Sequence, residues 1–523
     1  MTDRVSFTCN NDVVDVDIEP GESLLSVLRE RLGLVSVKDG CAPQGQCGCC
    51  TVLVDGDPRV ACVTPALRVS GRSVTTLEGL APEVRDDLAA SFVAAGGSQC
   101  GFCTPGIMMR VVAGGSLAAH LCRCTGWLTV AEAARGATSG ARDLAAAARR
   151  AELEGGSPQV VDASVPVGGA AFADDTAPPD ALVAVPGPEG WVVADTLFEA
   201  RRLAGKVQGR RTTIEERPPL PLPDLPEGGV RLATSWVEPA YLEPDASWCA
   251  PGGEPATPLA NGGAFGGKLH SIAPAAAREL ADKHGRAVRV VFSREDVVRL
   301  GPKRPPIAAS AVVRDGLIEI AGIVARGGAP KVWPVADGLE VRAAWTEADL
   351  AGPPVSSHIR AAGLAEQAVL VAGALGRDVP VVTPSGARAD AHVDIDAATG
   401  MLQRVDVRLA AGDPLDTVVL RSYAIGAAHM ALGWVLSEGL AVDPETGEVY
   451  DLTIRSFGII RAKDMPPVEV TIVPDDAPPR ARSSDAVFAT VAAATWNALT
   501  RVEGFRPDTF PARDTRTARL LRR

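Results

Sequence analysis

From Arg4 to Cys9, and again from Val13 to Ile18, apolar and polar side chains alternate, with Asn10-Asn11-Asp12 between the two runs. A period of two marks half-buried strands and the polar triplet marks a turn, so this stretch predicts a β-hairpin. From Glu22 to Gly33 the spacing changes: Leu24, Leu25, Val27, Leu28 and Leu32 fall on one helical stripe that Gly33 closes. Thr51-Val-Leu-Val runs into Asp55-Gly56-Asp57, which predicts a second, shorter hairpin. Pro82 to Gly97 reads as a helix, and Thr104-Pro105 opens another, with proline near its first position. Ala133 to Gln159 shifts to Ala, Arg, Gly and Glu and ends in Gly155-Gly156-Ser157-Pro158, a helix followed by a linker. Near the C-terminus, Val487 to Leu499 reads as a further helix. No run of eighteen or more apolar residues appears, so no membrane span is expected.

The cysteines change this picture most. Cys41-Ala-Pro-Gln-Gly-Gln-Cys47-Gly-Cys49-Cys50 is a tight Gly-bearing loop, and Cys62 follows on the return strand of the short hairpin. Glycine lets the backbone curl around a compact inorganic core and offer N–H groups to sulfur. Three thiolates on a loop and a fourth further along is how a plant-type [2Fe–2S] site is built. A structural zinc site also takes four thiolates, but usually from two separated pairs. A second group follows in Gln99-Cys100-Gly-Phe-Cys103-Thr-Pro-Gly106 and Leu121-Cys122-Arg-Cys124-Thr-Gly-Trp127.

Together, GCAPQGQCGCCTVLVDG, QCGFCTPG and LCRCTGW resemble the two-cluster iron–sulfur module of the molybdenum hydroxylases, the xanthine dehydrogenase and aldehyde oxidoreductase family. The resemblance implies that Cys41, Cys47, Cys50 and Cys62 hold the outer cluster. It implies that Cys100, Cys103, Cys122 and Cys124 hold the cluster nearer molybdenum, and that Gln99 contacts the pterin. The first loop has one residue more than the family pattern, which makes Cys49 a rival to Cys47. The gap from Cys103 to Cys122 is shorter than the pattern by about three helical turns.

Family segments continue in order. They are Val161-Asp162, Gly168 to Asp175, Glu243-Pro-Asp, Gly262-Gly263-Ala-Phe265-Gly266-Gly267-Lys268 and Ser293 to Asp296. Then come Lys303-Arg304-Pro305, Arg360-Ala-Ala-Gly363, Asp394 to Gly400, Gly433 to Glu438 and Asp464 to Glu469. This portion is about half the family's usual length. Fold class is therefore expected to be α+β: a β-grasp ferredoxin domain at 1–80, a helical [2Fe–2S] domain at 81–135 and a linker at 136–158. A shortened α+β molybdopterin-type region follows at 159–523. Gly262, Gly263, Phe265, Gly266, Gly267 and Arg360 are candidate pterin or substrate contacts; core packing for Phe265 and a surface ion pair for Arg360 are the competing readings. The place of the family's general-base glutamate falls on Asp485 in Ser483-Ser484-Asp485-Ala486, with a helix N-cap as the alternative role. Beside Lys268, where some members carry a second glutamate, stands Leu269.

The net charge of −12 and pI near 5.2 leave no basic surplus for nucleic acid. The six histidines are scattered, against a His-based metal or hydrolytic site. Eight of eleven cysteines fall into the two sets, leaving Cys9, Cys49 and Cys249. With an N-terminus that lacks an apolar signal core, this suits a reducing cytoplasm. The resemblance implies an oxidoreductase that passes electrons from a molybdopterin site through two [2Fe–2S] clusters to a flavin subunit or other acceptor. The alternative is a non-catalytic electron-transfer and scaffold subunit docking a full-length molybdenum chain. Molybdopterin, plain or as its cytosine dinucleotide, would sit here or in the partner, FAD in a separate subunit, and the whole in an oligomeric complex. Substrate choice is not legible.

Overall fold

In the computed structural model, which describes residues 3–205, 207, 216–330, 338 and 340–521, the first hairpin forms as expected. Asp3–Cys9 pairs antiparallel with Asp12–Ile18, and Asn10 and Asn11 turn the chain with φ of 52° and 76°, a region asparagine tolerates. The hairpin is one edge of a five-stranded sheet in the order Asp12–Ile18, Asp3–Cys9, Ser73–Thr75, Thr51–Val54, Asp57–Val60. Val5, Phe7 and Cys9 point into its core with Leu24, Val27 and Leu28. The helix expected at 22–33 is shorter and unevenly wound. Ser23 caps Leu24–Ser26, and Val27–Arg31 then opens into a π-turn closed by Leu32 N–H on the Val27 carbonyl. The wider turn carries Arg29 inward, onto the carbonyls of Val35 and Val37 and the carboxylates of Asp174 and Asp175.

Helices Pro82–Ala95, Thr104–Val112 and Leu128–Ala134 follow, the first ended by Gly96 at φ 66°. Helix Leu144–Gly155 forms in the stretch read as a helix and then a linker, and it has a packed face: Ala147 and Ala151 join Val419 and Tyr423 in one buried cluster.

Three further sheets build the rest. One orders Gly190–Ala194, Leu182–Gly187, Val288–Val291 and Ala246–Cys249; another orders Glu340–Ala348, Leu317–Ala325, Ile307–Arg314, Val230–Thr234 and Thr509–Phe510. The last orders Val381–Val382, Arg388–Ile395, Leu402–Ala410 and Val468–Ile472; helices Thr417–Leu436 and Ser483–Glu503 pack beside it, and helix Leu364–Leu375 packs between Ser483–Glu503 and the sheet that holds Ile307–Arg314. The fold is α+β.

Thr417–Leu436 is apolar and long enough to cross a membrane, but 89% of its apolar window is buried inside the protein. Its glycines are demanded by contact. A Cβ on Gly426 would fall 1.7 Å from the Cys124 carbonyl oxygen, so the helix runs directly across the second cysteine loop. Buried ion pairs knit the late segments to the early ones: Arg123 with Glu438, Arg304 with Glu366 through two bonds of 2.6 and 3.0 Å, and Lys268 with Glu243 at 2.8 Å.

Candidate functional site

All eleven cysteines are buried and free of disulfides. In the first loop, left-handed Gly45 and Gly48 (φ 69° and 78°) bend the backbone so that N–H groups reach sulfur. Gln44 and Gln46 N–H donate to Cys41 Sγ at 3.3 and 3.4 Å, and Cys62 N–H to Cys50 Sγ at 3.4 Å. The Cys41 thiol touches those of Cys47 and Cys62, and Cys62 also touches Cys50. In the second set Cys100 meets Cys124 at 3.5 Å between sulfurs, and Cys103 meets Cys122.

The eight sequence-predicted thiols therefore come together as two sets of two pairs. Two thiolates per iron is what a two-iron cluster requires. The donor sets fit two [2Fe–2S] clusters.

The sets lie back to back. A Cβ on Gly106, in the helix that opens after Cys103, would stand 2.4 Å from the Gly48 carbonyl oxygen and 2.6 Å from that of Cys49. Leu121 N–H donates to the Cys47 carbonyl at 2.9 Å.

On the far side of the second set, the remaining candidates converge. Gln99, Gly263, Phe265, Gly266, Arg360 and Asp485 all line one small cavity. Gly263 (φ 77°) presses on the second set, where a Cβ would stand 2.7 Å from Cys100 Cβ and 3.0 Å from its sulfur. Asn261 holds this turn in place, donating to the carbonyls of Gln99 and Cys100 at 3.2 and 3.4 Å. Gly262 faces the Gln159 amide, while Gly267 packs on Pro239 and Tyr241. Lys268 anchors the end of the run on Glu243 and on the carbonyls of Pro244 and Pro258. Burial raises the Glu243 carboxyl to about 7 despite Lys268. Leu269 is 41% exposed.

Arg360 is neither in a surface ion pair nor simply core filler. It is buried and stacks on the Phe265 ring at 4.7 Å and the Tyr423 ring at 6.0 Å. Asp485 is not an N-cap. Its helix begins at Ser483, preceded by Arg482 at φ 53°, and Asp485 stands inside the first turn. Burial raises its pKa, with Arg360 as the nearest offsetting charge. The cap is supplied instead by the Glu154 carboxylate, which accepts from the Ser483 and Ser484 N–H groups.

Neither Glu154 nor Tyr423 was evident from the chain. The one local signal is the Arg150/Glu154 spacing, which gives a buried i,i+4 pair at 2.9 Å.

The cavity itself has a volume of about 30 Å³, room for a water molecule. A pocket for an organic cofactor is commonly about 300–1,000 Å³. The Gln99 amide nitrogen is already bound to the Cys124 carbonyl at 3.0 Å and Ser422 Oγ at 2.9 Å. Arg360 and Phe265 close on each other across the cavity. These residues, as folded, do not fit a pterin.

Comparison with known proteins matches the two cysteine-bearing modules and, in contrast to the closed cavity, also matches a molybdopterin-type domain. Residues 7–67 match the family described as "2Fe-2S iron-sulfur cluster binding domain", and residues 76–135 match "[2Fe-2S] binding domain". Residues 346–466 match "Molybdopterin cofactor-binding domain". The chain is 35% identical over 145 residues to the nicotinate dehydrogenase small FeS subunit of Eubacterium barkeri, covering 25% of this chain and 92% of that one. It is 37% identical over 142 residues to the xanthine dehydrogenase iron-sulfur-binding subunit of Escherichia coli O157:H7, covering 24% and 88%. The solved aldehyde oxidoreductase of Desulfovibrio gigas shares the fold with a TM-score of 0.72 at 15% identity, over 97% of this chain and 99% of that one.

Proposed function

The chain belongs to the molybdenum hydroxylase family, and from that premise we propose that it is an electron-transfer subunit of a multi-subunit oxidoreductase. Cys100, Cys103, Cys122 and Cys124 would hold the inner [2Fe–2S] cluster and Cys41, Cys47, Cys50 and Cys62 the outer one. Each bound cluster supplies one-electron redox chemistry. The protein's own part is to bury the thiolates, hold them in pairs, aim N–H groups at sulfur, and keep the two sets in contact through Gly106 and the Gly48 and Cys49 carbonyls. The acceptor would be a flavin-bearing subunit. The molybdopterin-type region would act as a scaffold that docks a full-length molybdenum chain, to which substrate oxidation belongs.

One observation carries this reading: eight buried thiols are paired and ready for iron, while the cavity beside Asp485 admits little more than water. The convergence of Gln99, Phe265, Arg360 and Asp485 on that cavity favours the second reading, in which this chain itself binds molybdopterin and Asp485 is the base.

Iron and molybdenum per chain in natively purified protein, with the co-purifying chains identified, decide between them. About four irons, with molybdenum only when a larger partner is present, is the expected result. One molybdenum per copy of this chain without a partner would overturn it in favour of Asp485 chemistry.

A further inference from the structure

The first thiol set holds more sulfur than a two-iron cluster uses. Cys47 Sγ touches Cys49 as well as Cys41. Cys49 N–H donates to Cys47 Sγ at 3.5 Å. A Cβ built on Gly40 would stand 3.0 Å from Cys49 Sγ and 3.1 Å from Cys47 Sγ, so both sulfurs press on the same side of the same residue. Cys49 is fully buried, with Cys41 and Cys50 of the first set and Cys122 of the second as its electrostatic neighbours. It makes no disulfide.

We propose that Cys49 is a second, interchangeable ligand to the outer cluster, able to take the position that Cys47 holds. The proposal rests on the reading above that this set binds a [2Fe–2S] cluster. Three features lead to it. The loop carries one residue more than a four-thiolate loop needs, so its register over the cluster is not fixed by length. Cys47 and Cys49 flank Gly48, whose φ of 78° turns the chain so that side chains two residues apart share one side. Gly40 has no side chain to separate the sulfurs, and a Cβ there would crowd both, at 3.0 and 3.1 Å.

Exchange needs only side-chain movement. The Cys49 thiol would give up its proton as its sulfur took the place on iron, and the Cys47 thiolate would leave that place and take up a proton, so the proton count would not change. One Fe–S bond forms and one breaks, and the iron oxidation states do not change. A soft, buried thiolate that replaces another keeps the charge and ligand class of the site.

Four full-length variants test this: Cys47→Ser, Cys49→Ser, the double Cys47→Ser/Cys49→Ser, and Cys41→Ser as a control. Iron per chain and the electron paramagnetic resonance spectrum of the reduced protein are read for each. Cys49→Ser is expected to match the parent. Cys47→Ser is expected to keep both cluster signals and its iron, with the outer signal shifted. The double variant and Cys41→Ser are expected to lose the outer signal and about half of the iron, while the inner signal persists and shows that the chain has folded. Loss of the outer signal in Cys47→Ser alone, with the inner one intact, overturns the proposal. Its loss in Cys49→Ser but not in Cys47→Ser makes Cys49 the sole ligand and also overturns exchange. A parent protein with iron in the inner set but none in the outer would instead sink the cluster reading for the first loop, and the proposal with it.

Discussion

The Glu154 carboxylate accepts hydrogen bonds from Ser483 N–H at 3.3 Å and Ser484 N–H at 2.9 Å, so the helix carrying Asp485 is capped by a side chain more than 300 residues upstream. Glu154 also neutralises Arg150, which is wholly buried. Replacing Glu154 by Ala removes a cap and strands a buried guanidinium, a loss of about 3–5 kcal/mol. Glu154→Gln keeps one acceptor oxygen and is expected to cost less. Equilibrium denaturation measures both, and an Ala variant as stable as the parent would show that the cap contributes nothing.

Arg123 stands between Cys122 and Cys124 and is matched by Glu438 through two bonds, one of them at 2.7 Å, with a third contact from Arg123 to the Pro239 carbonyl at 3.0 Å. Both side chains are about 1–2% exposed. Glu438→Ala leaves the arginine charge buried and unpaired beside the second thiol set, again at about 3–5 kcal/mol. The inner cluster signal is expected to weaken before the outer one does. Equal loss of both signals would mean that Glu438 supports the whole chain and not that set in particular.

Gly106→Ala tests the contact between the two sets. The added Cβ meets backbone oxygens at 2.4 and 2.6 Å, which have no flexible side chain to give way. The two modules are expected to be pushed apart, lowering stability by about 1–3 kcal/mol, the usual cost of overpacking. The rate of reduction of the outer cluster by way of the inner one should fall as well. An unchanged rate in a folded variant would remove this contact from the electron path.

How much of this was legible in the chain follows from what each residue answers to. The thiol sets were, because ligand spacing is a local requirement written into short loops. The strands at 3–18 and the turn at Asn10-Asn11 were, because period and turn chemistry are local too. Collinear motifs grouped Asp485 with Gln99, Phe265 and Arg360, which do line one cavity with it, but its helix position was not legible: the cap comes from Glu154, and no sequence window of ordinary length contains both. Arg360 on Phe265 and Tyr423 is likewise a product of three distant segments meeting. The closure of the cavity beside Asp485 comes from the Arg360–Phe265 stack, a contact between segments about 95 residues apart that no local pattern announces.

His429 gives stability a pH dependence. It lies buried in helix Thr417–Leu436 with Nε2 2.9 Å from the Ile460 carbonyl oxygen, and burial, then Arg123, lowers its pKa from 6.5 to about 4. Folded, it stays neutral where the unfolded chain takes a proton. Its stability is therefore complete above pH 6.5 and is lost as pH falls towards about 4, by up to about 1.4 kcal/mol per pH unit. Glu243, raised from 4.5 to about 7, works in the opposite sense, since the folded state holds its proton between those values. His429→Gln keeps a donor for Ile460 and isolates the first effect: between pH 7 and pH 5 it is expected to lose less stability than the parent. Parallel curves for the two proteins would remove His429 as a source.

The wall that hides the first thiol loop is made late in the chain. Gln44 bonds the Leu452 carbonyl and receives the Ile454 N–H, partners 408 and 410 positions downstream, and Gln46 is bound in the same way by Arg455. On a ribosome, both cysteine loops are thus complete hundreds of residues before their cover exists. On the proposed reading of this loop as a cluster site, iron would have to reach it before the C-terminal half folds over Gln44 and Gln46, or that cover would have to open again.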